Sequence, residues 1–137
     1  MLRKNAKIDL LRRVPLFSGC SKSQLADIAM IADEIDFAPS QALISEGERG
    51  RQFFVIVDGS VKVTKKGRSV QIRGGAEFFG EMALLSEAPT NATVTATSPH
   101  RALVVVDHRF RGLIEKSPGI QMKVLRSLAE RLAPDAL

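Results

Sequence analysis

At its N-terminal end the chain has two segments in which apolar residues recur at helical spacing. Pro15 ends the first segment, because the residue before a proline disfavours the helical conformation. The apolar positions of this segment are Ile8, Leu11 and Val14. Ser21 and Gln24 open the second segment with the spacing of a capping box. Its predicted apolar face consists of Leu25, Ile28, Ala29 and Ala32. Two N-terminal helices are therefore predicted over about residues 5–33.

Between about residues 34 and 107 the pattern changes to the alternation that is typical of β-strands. Val61 and Val63 alternate with Lys62 and Thr64, as in a strand with one buried face and one solvent face. Turn dipeptides separate these segments at Asp58-Gly59, Lys66-Gly67 and Gly74-Gly75. About eight short strands without a long intervening helix predict an eight-stranded antiparallel β-roll of the jelly-roll type.

Helical spacing returns over about residues 108–132. Asp107 is a candidate N-cap for the first C-terminal helix, whose predicted core positions are Phe110, Leu113 and Ile114. Ser117 is a candidate cap for the second helix, with Pro118 at its first position. The apolar stripe of this helix comprises Ile120, Val124, Leu125, Leu128 and Leu132. The predicted fold is thus mainly β with flanking α, in a single domain over residues 1–137.

The charge of the chain is concentrated at its N-terminus. Residues 1–13 hold five basic residues and one acidic residue, so they carry +4 of the net +5 and the remainder carries +1. This segment is either the solvated face of a helix or a contact for an acidic partner or membrane headgroups. No apolar run approaches the roughly 18 residues of a membrane span, so no transmembrane segment is predicted. The single cysteine, Cys20, excludes an intramolecular disulfide and predicts a cytoplasmic protein.

The sequence does not favour an enzyme. It contains two histidines, His100 and His108, which are too few for a histidine-based metal centre. A nucleophile–base pair would depend on the same two residues, and the Gly-x-Ser-x-Gly elbow is absent. The glycine loops of dinucleotide-binding and Walker-type proteins are also absent. A binding module is therefore predicted.

Residues 78–94, FFGEMALLSEAPTNATV, have the features of a pocket for a small anion. Gly80 allows the backbone to turn and to approach a ligand closely. The following EMALLS is predicted to start a short helix, whose first N–H groups have no partner within the helix. Such N–H groups and the helix dipole together favour an anion.

The segments GERGRQFFVIVDGSVKV and GGAEFFGEMALLSEAPTNATVTA, with glycines at positions 47, 59, 75 and 80, resemble the cyclic-nucleotide-binding domain family. The resemblance extends over about residues 8–132. It implies a regulatory domain that requires no cofactor and whose ligand is cAMP or cGMP. It also identifies residues 80–93 as the phosphate-binding cassette.

Within this cassette the resemblance implies a role for each matching residue. Glu81 is expected to accept a hydrogen bond from the ribose 2′-hydroxyl. The N–H groups of Met82 and Ala83 are expected to face the ribose and the phosphate. Leu84 and Leu85 are expected to fill the core beneath the cassette.

The end of the cassette departs from the family pattern, which is usually Pro-Arg-x-Ala with the arginine paired to the phosphate. Pro89, Ala92 and Thr93 match this pattern, but Thr90 stands in the place of the arginine. A threonine lacks the charged, bidentate fork that matches a phosphate. Weak cyclic-nucleotide binding is therefore expected.

Two sources of compensation remain open. Asn91 and the hydroxyls of Thr90 and Thr93 are able to donate neutral hydrogen bonds. Alternatively, Arg73 or Arg101 reaches the pocket from a neighbouring strand.

Two functions are consistent with the sequence. In the first, the chain is a stand-alone sensor whose C-terminal helices move when a cyclic nucleotide binds. In the second, it is a ligand-independent interaction module with a degenerate pocket. A protein partner or a homodimer is predicted through the stripe of the last helix. No DNA-binding domain is expected, since only residues 133–137 follow that helix.

Overall fold

The computed structural model describes residues 2–73 and 77–132, except for the side chains of residues 72, 73, 131 and 132. Its helices are α1 (Lys4–Arg12), α2 (Lys22–Met30), α3 (Asp107–Lys116) and α4 (Pro118–Leu132), with 3₁₀ turns at Pro15–Phe17 and Glu81–Leu84. Its strands are β1 (Ala32–Phe37), β2 (Ala42–Ile44), β3 (Gln52–Asp58), β4 (Ser60–Lys65), β5 (Arg68–Arg73), β6 (Phe78–Phe79), β7 (Thr93–Ala96) and β8 (His100–Val106).

The strands form two four-stranded sheets, in the orders β1-β8-β3-β6 and β2-β7-β4-β5. All neighbouring strands are antiparallel. The predicted eight-stranded roll with flanking helices is therefore confirmed. Gly59 and Gly67 have positive φ angles of 93° and 79° at two of the predicted turns, while the turn predicted at Gly74-Gly75 lies outside the described residues.

Strand β3 is buried on both faces. Phe53 and Val55 belong to the same core cluster as the buried side chains of the helices. Phe54 and Ile56 point the other way and pack against residues of the second sheet. All four side chains are at most 1% exposed. This double burial explains why QFFVIVD is a nearly continuous apolar run rather than an alternating one.

The N-terminal helices follow the prediction with one correction. Ser21 accepts a hydrogen bond from the N–H of Gln24 at 3.1 Å, and Gln24 accepts one from the N–H of Ser21 at 2.8 Å, which confirms the capping box. Helix α2 ends at Met30, however, so Ala32 does not lie on its apolar face. Ala32 instead begins β1, where it pairs with Val105 and remains buried.

The capping role predicted for Asp107 needs correction. Asp107 is the first residue of α3 and Val106 occupies the N-cap position. The carboxylate of Asp107 does accept a hydrogen bond from the adjacent His108 N–H at 2.7 Å. Its other oxygen forms ion pairs with the side chains of Arg49 and Arg111. The main contacts of Asp107 are therefore ion pairs rather than a helix cap.

The face of α4 also differs from the predicted stripe. Ile120 and Val124 are buried, but Leu125 is 53% exposed. Ser127 takes its place on the buried face and donates a hydrogen bond from its hydroxyl to the carbonyl of Pro15 at 2.6 Å. The buried positions are therefore spaced i, i+4, i+7, because the helix docks against the first 3₁₀ turn. Among the described residues, no helix combines the length and the apolar composition needed to cross a membrane.

His100, at the start of β8, is a buried polar residue, only 4% exposed. Its ring stacks on that of Phe37, with centroids 5.0 Å apart. Within the part of the chain that the structure describes, neither ring nitrogen has a hydrogen-bond partner. Burial lowers the pKa of His100 below its ordinary value, because the imidazolium would lose its hydration.

We expect the free energy of unfolding to decrease as the pH falls from about 7 to about 5. The pKa of His100 is lower in the folded state than in the unfolded state, where it is ~6.5. The stability that the neutral imidazole contributes is therefore fully present above pH ~6.5 and is lost as the pH falls below this value. The slope from one such group is at most about 1.4 kcal/mol per pH unit. Urea unfolding at several pH values measures it. His100→Phe should flatten this dependence; an unchanged slope in this variant would refute the assignment.

Candidate ligand-binding site

A cavity of about 440 Å³ lies between β6, the second 3₁₀ turn, the segment 86–92 and the sheet that contains β2, β7 and β4. Its apolar walls are formed by Ile44, Val63, Phe78, Phe79 and Val94. The size and the apolar walls are typical of a small-molecule pocket. Seven of the eight predicted ligand-binding residues line it, namely Gly80, Glu81, Met82, Ala83, Thr90, Asn91 and Ala92. The eighth, Thr93, does not.

Gly80 fixes the position of the 3₁₀ turn relative to β3. Its φ angle is 83°, in the left-handed region that favours glycine. A Cβ atom at this position would lie 2.7 Å from the carbonyl oxygen of Gln52 and 3.2 Å from Cδ1 of Ile44. Only glycine therefore allows the turn to lie this close to β3.

The helix predicted after Gly80 is a four-residue 3₁₀ turn, and two expectations about it are wrong. The N–H of Ala83 donates to the carbonyl of Gly80 at 3.0 Å, so it is not free for a ligand. Leu84 is fully buried as predicted, but Leu85 is 41% exposed. Both differences arise because so short a turn closes its hydrogen bonds early and ends before Leu85.

Three backbone donors at the cavity remain available. The N–H of Met82 precedes the first hydrogen bond of the 3₁₀ turn and has no partner within it. The N–H groups of Asn91 and Ala92 donate to no acceptor in residues 2–73 and 77–132. Residues that line the cavity thus have N–H groups without a backbone acceptor at both ends of the cassette.

The hydroxyl groups of Thr90 and Thr93 are turned toward the loop between β2 and β3. Thr90 Oγ1 lies 2.6 Å from the carbonyl oxygen of Ser45 and 2.9 Å from that of Glu48, so its proton is donated to this loop. Thr93 Oγ1 accepts a hydrogen bond from the N–H of Glu46 at 3.0 Å. These hydroxyl groups therefore tie two segments together rather than face the cavity.

The main chain reinforces the same connection. The N–H of Gly47 donates to the carbonyl of Thr90 at 2.8 Å, and the N–H of Thr90 donates to the carbonyl of Glu48 at 2.8 Å. Thr90 also contributes its methyl group to the cavity wall, where it would lie 3.0 Å from a Cβ atom on Gly50. On the far side of Gly50 and Thr90 is a second cavity of about 320 Å³, lined in part by Arg49 and Arg51.

The cavity wall contains a carboxylate. Within the described part of the chain, Glu81 is the one charged side chain that lines it. Arg101 does not reach the cavity, because it is paired with Asp36 at 2.8 Å and Glu34 at 3.6 Å on the neighbouring strand β1. The side chain of Arg73, the other predicted substitute, lies outside the described residues.

The model of the cyclic nucleotide-binding domain family matches residues 34–117, which include most of β1, all of β2 to β8 and the residues that line the cavity. The chain belongs to this family. The match confirms the resemblance predicted from the glycine pattern and from residues 78–94. Residues 80–93, most of which line the cavity, are called the cassette of this domain.

Known proteins similar to the chain include a transcriptional regulator and a regulatory subunit of a protein kinase. A CRP-like cAMP-activated global transcriptional regulator of Mycobacterium tuberculosis is 29% identical over 90% of this chain. A cAMP-dependent protein kinase regulatory subunit of Mycosarcoma maydis is 41% identical over 80% of this chain. The chain spans 58% and 23% of the lengths of these two relatives. The crystal structure of the N-terminal domain of a transcriptional regulator from Streptomyces coelicolor A3(2) is 29% identical and superposes with a TM-score of 0.82, covering 93% of this chain and 94% of that one.

One functional connection was not predicted from the sequence. Arg49 pairs with Glu87 of the cassette at 3.3 Å and with Asp107 at the start of α3 at 3.4 Å. Arg111 pairs with the same Asp107 oxygen at 3.2 Å. Burial disfavours the charge of Asp107, but the His108 N–H and the guanidinium groups of Arg111 and Arg49 outweigh it and lower the pKa of this carboxyl. These contacts join residues up to 58 positions apart, and no local pattern indicates them.

The role of Gly80 in this domain is testable by comparing Gly80→Ala with Gly47→Ala. Both glycines have similar φ angles, 83° and 88°, so both variants incur the cost of about 1 kcal/mol for a left-handed residue. A Cβ atom at Gly47 meets nothing within 4 Å, whereas one at Gly80 collides with β3. We expect Gly80→Ala to lower the free energy of unfolding by about 2–4 kcal/mol, measured by urea denaturation. Equal losses in the two variants would contradict the close approach.

Proposed function

We propose that this chain is a non-enzymatic regulatory domain that binds a cyclic nucleotide, cAMP or cGMP, in the cavity of the cassette. The observation that supports the proposal is the convergence of the predicted residues on one apolar cavity in a member of this family. The names of two relatives include cAMP, one as an activator and one as the regulator of a kinase. The cytoplasmic location and the single domain over residues 1–137 remain predictions from the sequence.

In this proposal, different groups of the cassette and the cavity wall bind different parts of the nucleotide. The carboxylate of Glu81 accepts a hydrogen bond from the ribose 2′-hydroxyl. The N–H groups of Met82, Asn91 and Ala92 are available for oxygen atoms of the ligand. The base packs on the apolar walls, where burial supplies roughly 25 cal/mol for each Å² of apolar surface.

The proposal includes weak binding, because Thr90 occupies the position of the phosphate-binding arginine. Loss of one partner of a buried charge pair costs about 2–5 kcal/mol, which corresponds to a roughly 30-fold to several-thousand-fold loss of affinity. The hydroxyl of Thr90 does not replace the lost charge, since it donates to the carbonyls of Ser45 and Glu48. The backbone donors remain, and each neutral hydrogen bond contributes about 0.5–1.5 kcal/mol.

Isothermal titration calorimetry with cAMP and cGMP tests this function. We expect the wild-type domain to bind neither nucleotide with a Kd below ~100 µM. The Thr90→Arg variant should bind at least one of them with a Kd that is lower than the wild-type value by a factor of about 30 or more. The control is Asn5→Arg, which adds the same charge on α1, outside the cavity lining. Low-micromolar wild-type binding would contradict the role assigned to Thr90. If neither the wild type nor Thr90→Arg shows measurable binding, the proposal that the cavity binds a cyclic nucleotide is wrong.

The second candidate function is a protein-interaction module, and the exposed apolar residues of α4 favour it. Met122 and Leu125 are 55% and 53% exposed. They are three residues apart on the helix, so they lie on one face, which points away from the buried residues Ile120 and Val124. An exposed apolar strip on a helix is typical of a surface that another helix covers. A homodimer or a protein partner through α4 therefore remains part of the proposal.

The interaction function predicts an effect of charge on this strip. Leu125→Glu should shift a dimer toward monomer by at least tenfold in Kd, because a carboxylate is poorly tolerated in a buried apolar contact. Sedimentation equilibrium measures the constant. Asn5→Glu adds the same charge at an exposed, polar position of α1 and should leave association unchanged. Equal association of the two variants and the wild type would exclude Leu125 from a dimer interface.

A further inference from the structure

We infer that the open edge of β5 binds an extended, acidic segment of a partner protein as an additional β-strand. The described lining of the cavity contains no residue from positions 68–71, so this surface is separate from the candidate ligand-binding site. The inference goes beyond the proposed function and does not depend on nucleotide binding. The position of β5 in its sheet, the exposure of its side chains and the charge of the β4–β5 hairpin support it.

Strand β5 is the last strand of its sheet. The strand order is β2-β7-β4-β5, so among the described strands β5 pairs with β4 alone. This pairing is continuous from the pair Ser60–Arg73 to the pair Lys65–Arg68. A regular edge of this kind presents a row of backbone N–H and C=O groups, to which a further strand is able to bind.

The turn of the hairpin determines which backbone groups face this edge. Both residues of the Lys66-Gly67 turn have positive φ angles, 52° and 79°, as in a type I′ turn. Lys65 and Arg68, which flank such a turn, exchange backbone hydrogen bonds, and hydrogen-bonded pairs alternate from there along the ladder. The N–H and C=O groups of Ser69 and Gln71 therefore point away from β4. No turn or loop of the described residues accepts a backbone hydrogen bond from either N–H.

The side chains along this edge are exposed, and one of them is apolar. Val70 is 63% exposed, whereas Val63, opposite it on β4, lines the cavity. Ser69 and Gln71 are also exposed. An added strand thus gains backbone hydrogen bonds and an apolar contact at the same edge, and these are the two components of recognition by strand addition.

The charge of the hairpin defines the chemistry of the partner. Residues 60–71 contain four basic residues and no acidic residue, a formal charge of +4. All four side chains are exposed, and within residues 2–73 and 77–132 none of them forms an ion pair. A segment with acidic side chains complements this charge. The four residues are Lys62, Lys65, Lys66 and Arg68.

The same features disfavour other occupants of the edge. A second copy of the chain, paired through β5, would bring together two hairpins that each carry +4, and like charges on adjacent strands are unfavourable. A nucleic acid or an anionic membrane is attracted by the charge but has no strand that pairs with the edge groups of Ser69 and Gln71. The open edge and the charge together favour an acidic peptide.

The test uses the whole chain, labelled with ¹⁵N, and a terminally blocked heptapeptide of alternating glutamate and valine. An NMR titration measures the Kd, and hydrogen exchange measures the protection of the amides of β5. We expect binding with a Kd below about 1 mM and exchange slowed by about threefold or more at Ser69 and Gln71 with saturating peptide. A peptide of alternating lysine and valine should bind about tenfold or more weakly.

Methylated peptides separate strand addition from attraction between charges. Methylation of the backbone nitrogens of all valines, or of all glutamates, removes the donors from one edge of the peptide and keeps every charge. Because successive N–H groups of a strand point to opposite edges, we expect one methylated peptide to bind about tenfold or more weakly and the other to change less than about threefold.

Variants of the chain test the same edge. Ser69→Pro removes an N–H that faces the open edge, where strands tolerate proline, and Ser69→Ala keeps it. Both lose the hydroxyl that lies 3.0 Å from Thr64 Oγ1. Ser69→Pro should weaken binding of the glutamate–valine peptide about tenfold and Ser69→Ala less than about twofold. Arg68→Gln should weaken it about threefold or more, whereas Lys116→Gln, at an exposed site on α3, should not.

Three outcomes would overturn the inference. The first is a glutamate–valine peptide that fails to bind at about 1 mM. The second is equal affinity of the two methylated peptides and the unmethylated one, or of the two Ser69 variants, since charge alone would then account for binding. The third is tighter binding of an oligothymidylate, or of phosphatidylcholine vesicles with about 30% phosphatidylserine, which would assign the hairpin to a nucleic acid or a membrane.

Discussion

The burial of β3 on both faces positions the candidate site and the C-terminal helices together. Its side chains alternate between the helices and the second sheet, so β3 cannot shift without disturbing both cores. The residues at its start then contact two separate parts of the chain. The carbonyl of Gln52 faces Gly80, and the carbonyl of Arg51 accepts a hydrogen bond from the N–H of Asp107 at 2.9 Å. The cassette and α3 therefore share one rigid support.

Thr90 shows how a binding segment contributes to structure. Its backbone and hydroxyl form hydrogen bonds with the loop 45–48, which brings the end of the cassette against that loop. An arginine at the same position would extend beyond this loop and would lose the hydroxyl contacts, each worth about 0.5–1.5 kcal/mol. The threonine thus supports the shape of the cavity without placing a charged group at its wall.

The sequence predicted those features that depend on local pattern. Alternation and glycine turns indicated the strands, and the glycine at position 80 indicated a close approach of the backbone that the structure confirms. The exposure of Leu125 was not predictable, because helical spacing identifies an apolar face but not which part of it a neighbouring turn covers. The contacts of Arg49 were not predictable either, since they join a loop, the cassette and α3 across the fold. The orientation of the Thr90 hydroxyl depends on the same long-range packing.

The two ion pairs of Arg49 differ in their exposure to solvent and therefore in strength. This difference determines how strongly the cassette is held. Asp107 is buried and bound by two arginines and a backbone N–H, so its pair with Arg49 is well protected from solvent. The side chain of Glu87 is 81% exposed, and surface pairs of this kind contribute about 0–1 kcal/mol. The cassette is consequently fixed at Gly80 and at Thr90, and held only weakly at the solvent-exposed segment between them. A ligand that binds both fixed ends stabilises this segment at little cost to the rest of the fold.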